Sequence, residues 1–256
     1  METGDTSSPA TTGFEPIPGV GVCYMSIPSF IRNCLVENDY TNFQTKRNLR
    51  FDSKSFLPKF LSPEEIDRVN RFRSLKKQIE WMAGRFLVKQ MVQTRVDSKI
   101  PLAEIFIDYQ DGGAPFIRGY PHVKISISHS GEYAGATLTT RADLDLGLDI
   151  EQIGKPPDAG FMRIAFTQRE IKAMGPDARD IFRCWTVKEA FLKLIKKGFN
   201  QNLHHVEIIG DTILFKHEKA PVSVISTTLG TEYAVSIVLA NSQWSKIYPT
   251  DRRLLK

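Results

Sequence analysis

The chain has 256 residues, 41% of them hydrophobic and 25% charged, the balance of a soluble globular protein with material for one large domain or two small packed lobes. No apolar run approaches the ~20 residues of a membrane span. The N-terminus lacks the basic and apolar regions of a signal peptide, so the expectation is a cytoplasmic protein that does not engage a membrane. A formal charge of +5 attracts anionic partners (nucleic acid, acidic proteins, phosphorylated small molecules) without choosing among them. Cys23, Cys34 and Cys184 are odd in number and widely spaced, which excludes a C-x-x-C zinc or redox pair and predicts reduced thiols.

In chain order, residues 1–18 are rich in Thr, Ser, Gly and Pro and read as a flexible leader. A first strand is expected near Gly21–Ile27. Ser62-Pro63-Glu64-Glu65 is a helix start, with Ser62 as N-cap, Pro63 in the first position and Glu65 three residues after the cap. A second helix is predicted over Lys76–Thr94, where Ile79, Met82, Phe86 and Gln90 recur at three- and four-residue steps. Strands follow at Glu104–Tyr109 and Val123–Ser128, with a turn at Asp111-Gly112-Gly113 between them. His129-Ser130-Gly131 is expected to break the second strand. Further strands are predicted at Tyr133–Thr139 and Leu146–Ile150. Helices are expected near Thr167–Met174 and over Ile181–Lys197, the latter capped by Gly198. Strands at Val206–Ile209, Ile213–Lys216 and Tyr233–Ala240 complete the chain. The order is α+β twice over, with no detectable sequence repeat. The organisation expected is a leader (1–18), an N-terminal lobe (19–142) and a C-terminal lobe (143–256).

Three polar clusters could carry chemistry. Ser126-Ile127-Ser128-His129-Ser130 brings hydroxyls, an imidazole and backbone N–H groups to a strand end, a set that suits phosphate oxygens. Asp149 and Glu151, two apart on a strand, point the same way, and two such carboxylates repel unless a hard cation such as Mg²⁺ lies between them. In Trp185-Thr186-Val187-Lys188-Glu189-Ala190-Phe191-Leu192-Lys193, the stripe Val187, Ala190, Phe191 and Leu194 should face the core, leaving Glu189 and Lys193 on another face. Each cluster alone also reads as ordinary structure: a Ser-rich turn, a solvated acidic edge, a surface Glu–Lys pair.

Taken in order and spacing, S-x-S-H-S, G-x-D-x-E and W-x-x-K-E-A-x-x-K resemble the 4′-phosphopantetheinyl transferases, and most closely the stand-alone, surfactin- and enterobactin-synthetase-activating type. Lys77-x-x-Glu80-Trp81-x-x-Gly84-Arg85 looks like the basic helix of many members. Phe166-x-x-x-Glu170 looks like the segment near the carrier-protein site. Gly113-Ala114-Pro115 stands where the family has G-K-P, with alanine in place of the common lysine.

The resemblance implies two pseudo-symmetric lobes with the active site in the cleft between them, and a monomer. It implies coenzyme A contacts from Lys77, Arg85, Pro115, Ser128, His129, Asp149, Lys188 and Lys193, and Mg²⁺ held by Asp149, Glu151 and Glu189. Glu189 and Lys193 are the catalytic candidates, Glu189 as base or as metal ligand. The expected partner is an acidic carrier protein rather than nucleic acid. A different Mg²⁺ enzyme, such as a nuclease, would not need the S-H-S turn, and a nucleic-acid-binding protein would favour a dense basic patch that this chain lacks.

Overall fold

The computed structural model describes residues 11–35, 50–51, 59–196 and 201–247. Strands β1 (Thr12–Ile17) and β2 (Val20–Ser26) form a hairpin, followed by a short helix α1 (Ile27–Phe30) that runs into a π-helical turn, Ile31–Leu35. Helices α2 (Pro63–Asn70) and α3 (Leu75–Arg95) come next, then β3 (Ile107–Tyr109), β4 (Pro115–Ile117), β5 (Lys124–Ser130) and β6 (Tyr133–Thr139). The antiparallel sheet β1-β2-β6-β5 carries α3 on one face. The second half opens with β7 (Leu144–Gln152), then α4 (Ala159–Ala165), α5 (Gln168–Met174) and α6 (Ala178–Leu194). A small sheet of β8 (Val206–Ile209), β9 (Thr212–Phe215) and β10 (Glu218–Lys219) precedes β11 (Val222–Leu229), β12 (Tyr233–Asn241) and α7 (Ser242–Ile247). Here α6 lies across the sheet β11-β12-β7. Among the described residues no helix is long and apolar enough to cross a membrane.

Each lobe has a core between its long helix and its sheet. Phe60 meets Phe30 and Phe86 edge to face in the first, and Phe166, Phe191 and Phe215 belong to the second. A third cluster joins the lobes, with Val20 and Val22 of β2 against Leu146, Leu148 and Ile150 of β7 and Ile237 of β12. The pleat explains it: these residues alternate along their strands and so share one face.

Differences from expectation have local causes. Residues 12–17 are a strand, not leader; it is an exposed edge strand, where Pro16 and a bulge between Phe14 and Ile17 are tolerated and the composition still looks loop-like. β5 does not break at His129 but runs to Ser130, and the turn falls on Gly131, whose φ is +53°. The strand predicted at Glu104–Tyr109 is only Ile107–Tyr109, and Glu104 ends a 3₁₀ turn, Leu102–Glu104. The helix predicted to end at Lys197 ends at Leu194, and its expected cap Gly198 lies outside the described residues.

The lobes repeat one device that the sequence hides. In the first, Ser62 caps α2, Glu65 completes a capping box, and the buried Lys89 ammonium of α3 pairs with Glu65 and donates to the Phe60 carbonyl at 2.8 Å. In the second, Thr167 caps α5, Glu170 completes the box, and the buried Lys188 of α6 pairs with Glu170 at 2.9 Å and donates to the Ala165 carbonyl at 2.7 Å. Both carbonyls lie two residues before the cap. Only a cap, a glutamate and a lysine recur, and the Glu-to-Lys separation is 24 residues in one lobe and 18 in the other, so alignment sees no repeat. A buried charge left unpaired costs roughly 3–5 kcal/mol. Lys188→Met should therefore lose about that much stability in urea unfolding, and adding Glu170→Gln, which removes the stranded charge, should recover part of it.

Candidate active site

Two glycines set the spacing of the site. A Cβ on Gly147 would stand 1.9 Å from the Ala190 carbonyl oxygen, so the backbones of β7 and α6 touch there. A Cβ on Gly84 would stand 2.6 Å from Ile127 Cγ2, so the bare glycine lets α3 pack closely on that side chain of β5. With α6 seated on β7, Lys193 Nζ donates to Asp149 Oδ1 at 2.7 Å, and Glu189 is close enough for the charges of Asp149 and Glu151 to act on it.

The serine stripe of β5 forms the seam between the lobes. Ser126 Oγ accepts from the Leu148 amide at 3.0 Å, Ser128 Oγ donates to Asp149 Oδ1 at 2.7 Å, and Ser130 Oγ donates to Glu151 Oε2 at 2.7 Å. Lys124, next on that face, pairs with Asp145 at 3.1 Å. Ser128 is buried and its hydroxyl proton is committed to Asp149, so in this structure it positions that carboxylate.

The acids are electrostatically crowded. Glu189 is 7% exposed, and burial, then the Asp149 charge, push its carboxyl up to about 7. Glu151 is raised for the same two reasons, with the Ser130 hydrogen bond opposing. Asp149 Oδ2 and Glu189 Oε1 are buried without a hydrogen-bond partner. Among the described residues no three acidic, imidazole or thiol groups converge on one metal-sized point as they stand. The Lys193 ammonium occupies Asp149 instead, and the two unpartnered oxygens are the places left for a hard cation.

A cleft of about 940 Å³ runs between the lobes. His129 and Lys193 line it, as do Lys77, Arg85, Ala114 and Pro115. The His129 side chain is 44% exposed, its Nδ1 lies 3.6 Å from Glu80, and burial holds its pKa below the ordinary histidine value. Lys77 is exposed, its ammonium 5.5 Å from the centre of the Phe72 ring. Arg85 is buried, stacked 3.4 Å over Trp81, with both terminal nitrogens 3.2 Å from the Tyr109 hydroxyl. Lys188 is corrected: with no exposed surface and an ammonium held by Glu170 and two carbonyls, it cannot reach a phosphate. Phe166 and Glu170 are likewise core residues, not a docking surface. Sequence reasoning gave Glu80, Tyr109 and Lys124 no role, although the i, i+4 spacing of Lys76 and Glu80 and the alternation of Lys124 with the serines marked two of them. The thiols take no part: none is in a disulfide, and burial pushes Cys34 and Cys184 up to about 12.

Residues 145–238 match the family model described as 4′-phosphopantetheinyl transferase superfamily, and residues 52–140 match 4′-phosphopantetheinyl transferase, N-terminal. The L-aminoadipate-semialdehyde dehydrogenase-phosphopantetheinyl transferase of Xenopus laevis is 32% identical over 57% of this chain and 53% of its own length. The 4′-phosphopantetheinyl transferase psf-1 of Bacillus pumilus is 29% identical over 61% of this chain and 66% of its own. The 4′-phosphopantetheinyl transferase gsp of Aneurinibacillus migulanus is 26% identical over 71% and 77%. The chain thus spans about half of the animal relative and about two thirds of the Bacillus one.

The raised Glu189 carboxyl has a stability signature. The folded chain keeps a proton that the unfolded chain releases near its ordinary value of 4.5, so the Glu189 contribution is full below that pH and is lost as pH rises through about 7. His129, depressed, contributes with the opposite sign, so comparison with Glu189→Gln isolates the glutamate. In cation-free urea unfolding, the variant should gain about 1–3 kcal/mol on wild type between pH 5 and pH 8.

Proposed function

We propose, from two stretches that both belong to the 4′-phosphopantetheinyl transferase family, that this chain moves the 4′-phosphopantetheine arm of coenzyme A onto a serine of an apo carrier protein and releases adenosine 3′,5′-bisphosphate. The observation that carries this reading is the crowded carboxylate patch of Asp149, Glu151 and Glu189, joined through Lys193 to an interlobe cleft of about 940 Å³. Phosphoryl transfer needs positioning and charge neutralisation more than covalent help, and this arrangement offers both.

The two unpartnered buried oxygens, Asp149 Oδ2 and Glu189 Oε1, suit a hard cation; Asp149 and Glu189, with Glu151 once it turns toward them, would hold Mg²⁺, which when bound would draw charge from the pyrophosphate. The chain's own groups do the rest. His129, mostly neutral at pH 7 because burial lowers its pKa, offers an N–H to a phosphate oxygen. The carrier serine oxygen bonds to the β-phosphorus as the bond from that phosphorus to the oxygen bridging the α-phosphate breaks. Glu189 is the base candidate for the serine proton where it does not itself hold the cation. Lys193 stabilises the charge that gathers on the departing bisphosphate, leaving Asp149 for it. Ser128 and Ser130 keep Asp149 and Glu151 aimed during the exchange.

Within the family, the subtype proposed is the stand-alone, synthase-activating one that the sequence motifs resemble. A net charge of +5 suits an acidic carrier, and association should slow as salt rises.

The test is intact-mass spectrometry of apo carrier proteins after incubation with the chain, coenzyme A and Mg²⁺, with an EDTA control. A phosphopantetheine-sized gain on the carrier serine, absent with EDTA, is expected. Asp149→Ala and Glu189→Gln should lose roughly 100-fold or more in turnover, and Lys193→Ala should lower turnover more than coenzyme A affinity. Near-native turnover in Asp149→Ala with Mg²⁺ would overturn the metal assignment.

A further inference from the structure

Lys188 and Lys193 both belong to α6, and each pairs with a buried carboxylate, but they are held differently. The Lys188 side chain has no exposed surface, and its ammonium has three partners, Glu170 and the carbonyls of Ala165 and Leu203. Lys193 makes one hydrogen bond among the described residues, to Asp149 Oδ1 at 2.7 Å. Its side chain is 28% exposed and lines the cleft. Lys188 is fastened on every side, whereas Lys193 can leave Asp149 by rotating its own flexible stem into the cleft.

Asp149 itself cannot move away in the same manner. It is buried, and Oδ1 accepts from Ser128 as well as from Lys193, while Oδ2 has no hydrogen-bond partner. The Lys193 charge also reaches the other two acids, opposing the upward push that burial and Asp149 exert on Glu189 and Glu151. One ammonium thus acts as counter-ion to three carboxylates. A second cation drawn to Asp149 Oδ2 and Glu189 Oε1 would stand beside that ammonium, and like charges so close in a water-poor place repel strongly.

Resting on the reading that these acids hold a divalent cation, we propose that Lys193 is a displaceable counter-ion, which competes with that cation for Asp149 and swings into the cleft when the cation is held. Cation binding then includes the loss of one charge-assisted hydrogen bond. An anionic ligand in the cleft gives the displaced ammonium a new partner. Cation and ligand should therefore each strengthen the binding of the other through this one side chain.

The test is calorimetric titration of Mg²⁺ into the full chain without coenzyme A, for wild type, Lys193→Met and Lys193→Gln. Both replacements remove the charge, and glutamine keeps a donor for Asp149 should the methionine variant fold poorly. Both variants should bind Mg²⁺ about tenfold or more tightly than wild type, the scale of one hydrogen bond to a charged group. Lys124→Met removes a cleft charge that is paired with Asp145 instead, and should change Mg²⁺ affinity little. In buffer without divalent cations the Lys193 variants should melt below wild type, because a buried carboxylate has lost its counter-ion. Saturating Mg²⁺ should raise their melting temperatures more than that of wild type. Coenzyme A should tighten Mg²⁺ binding more in wild type than in either Lys193 variant. Lys193 variants that bind Mg²⁺ as wild type does, or more weakly, overturn the proposal and leave the cation reading standing. An equal gain in Lys124→Met also overturns it, since the effect would then belong to the general field of the cleft. Mg²⁺ binding by none of these proteins sinks both readings.

Discussion

The contact of two backbones at Gly147 is the constraint on which the site depends. Ala190 lies against it with no room for a methyl group, so α6 sits as low on β7 as a helix can. Glu189 is the residue before that contact and Lys193 is one turn beyond it. Both therefore fall beside Asp149, which is two residues along the strand from the glycine. A larger residue at 147 would lift the helix and separate the carboxylates from the ammonium that now neutralises one of them. Crowding and neutralisation follow from one absent side chain.

The second requirement is that the lobes meet. Asp149 and Glu151 belong to the second lobe, yet the hydroxyls that aim them, Ser128 and Ser130, come from the first. The apolar cluster of Val20, Val22, Leu146, Leu148 and Ile150 closes the same seam from its other face. The acidic patch is consequently a property of the interface and not of either lobe. Hydroxyls suit this work, being short, neutral and able to donate to a carboxylate without adding charge to a crowded site.

Much of this was legible in the sequence, because it rests on local chemistry. The Ser62–Glu65 capping box, the alternation of β5, the stripe of Val187, Ala190, Phe191 and Leu194, and the shared face of Asp149 and Glu151 follow from spacing. What could not be read depends on distant partners. Lys188 and Glu189 are adjacent in a motif of charged residues, and nothing local says that one is fastened to Glu170 in the core and the other lies beside Asp149. The bond from Ser128 to Asp149 has no local signature, because the two are 21 residues apart. The edge strands β1 and β11 were hidden for another reason: half-exposed and rich in Thr, Ser or Gly, they lack the apolar alternation that marks a buried strand.

The paired lysine and glutamate inside each lobe also bear on how such a chain can diverge. Either member lost alone strands a charge in a dry place, whereas an apolar pair of similar volume can be nearly neutral there. Every single-step path away from Lys89–Glu65 or Lys188–Glu170 therefore crosses a valley, and the two residues must change together or not at all. The rim of the cleft, solvated and forgiving, is free to drift by single steps. Such a molecule should vary more readily in what it recognises than in how its helices are fastened.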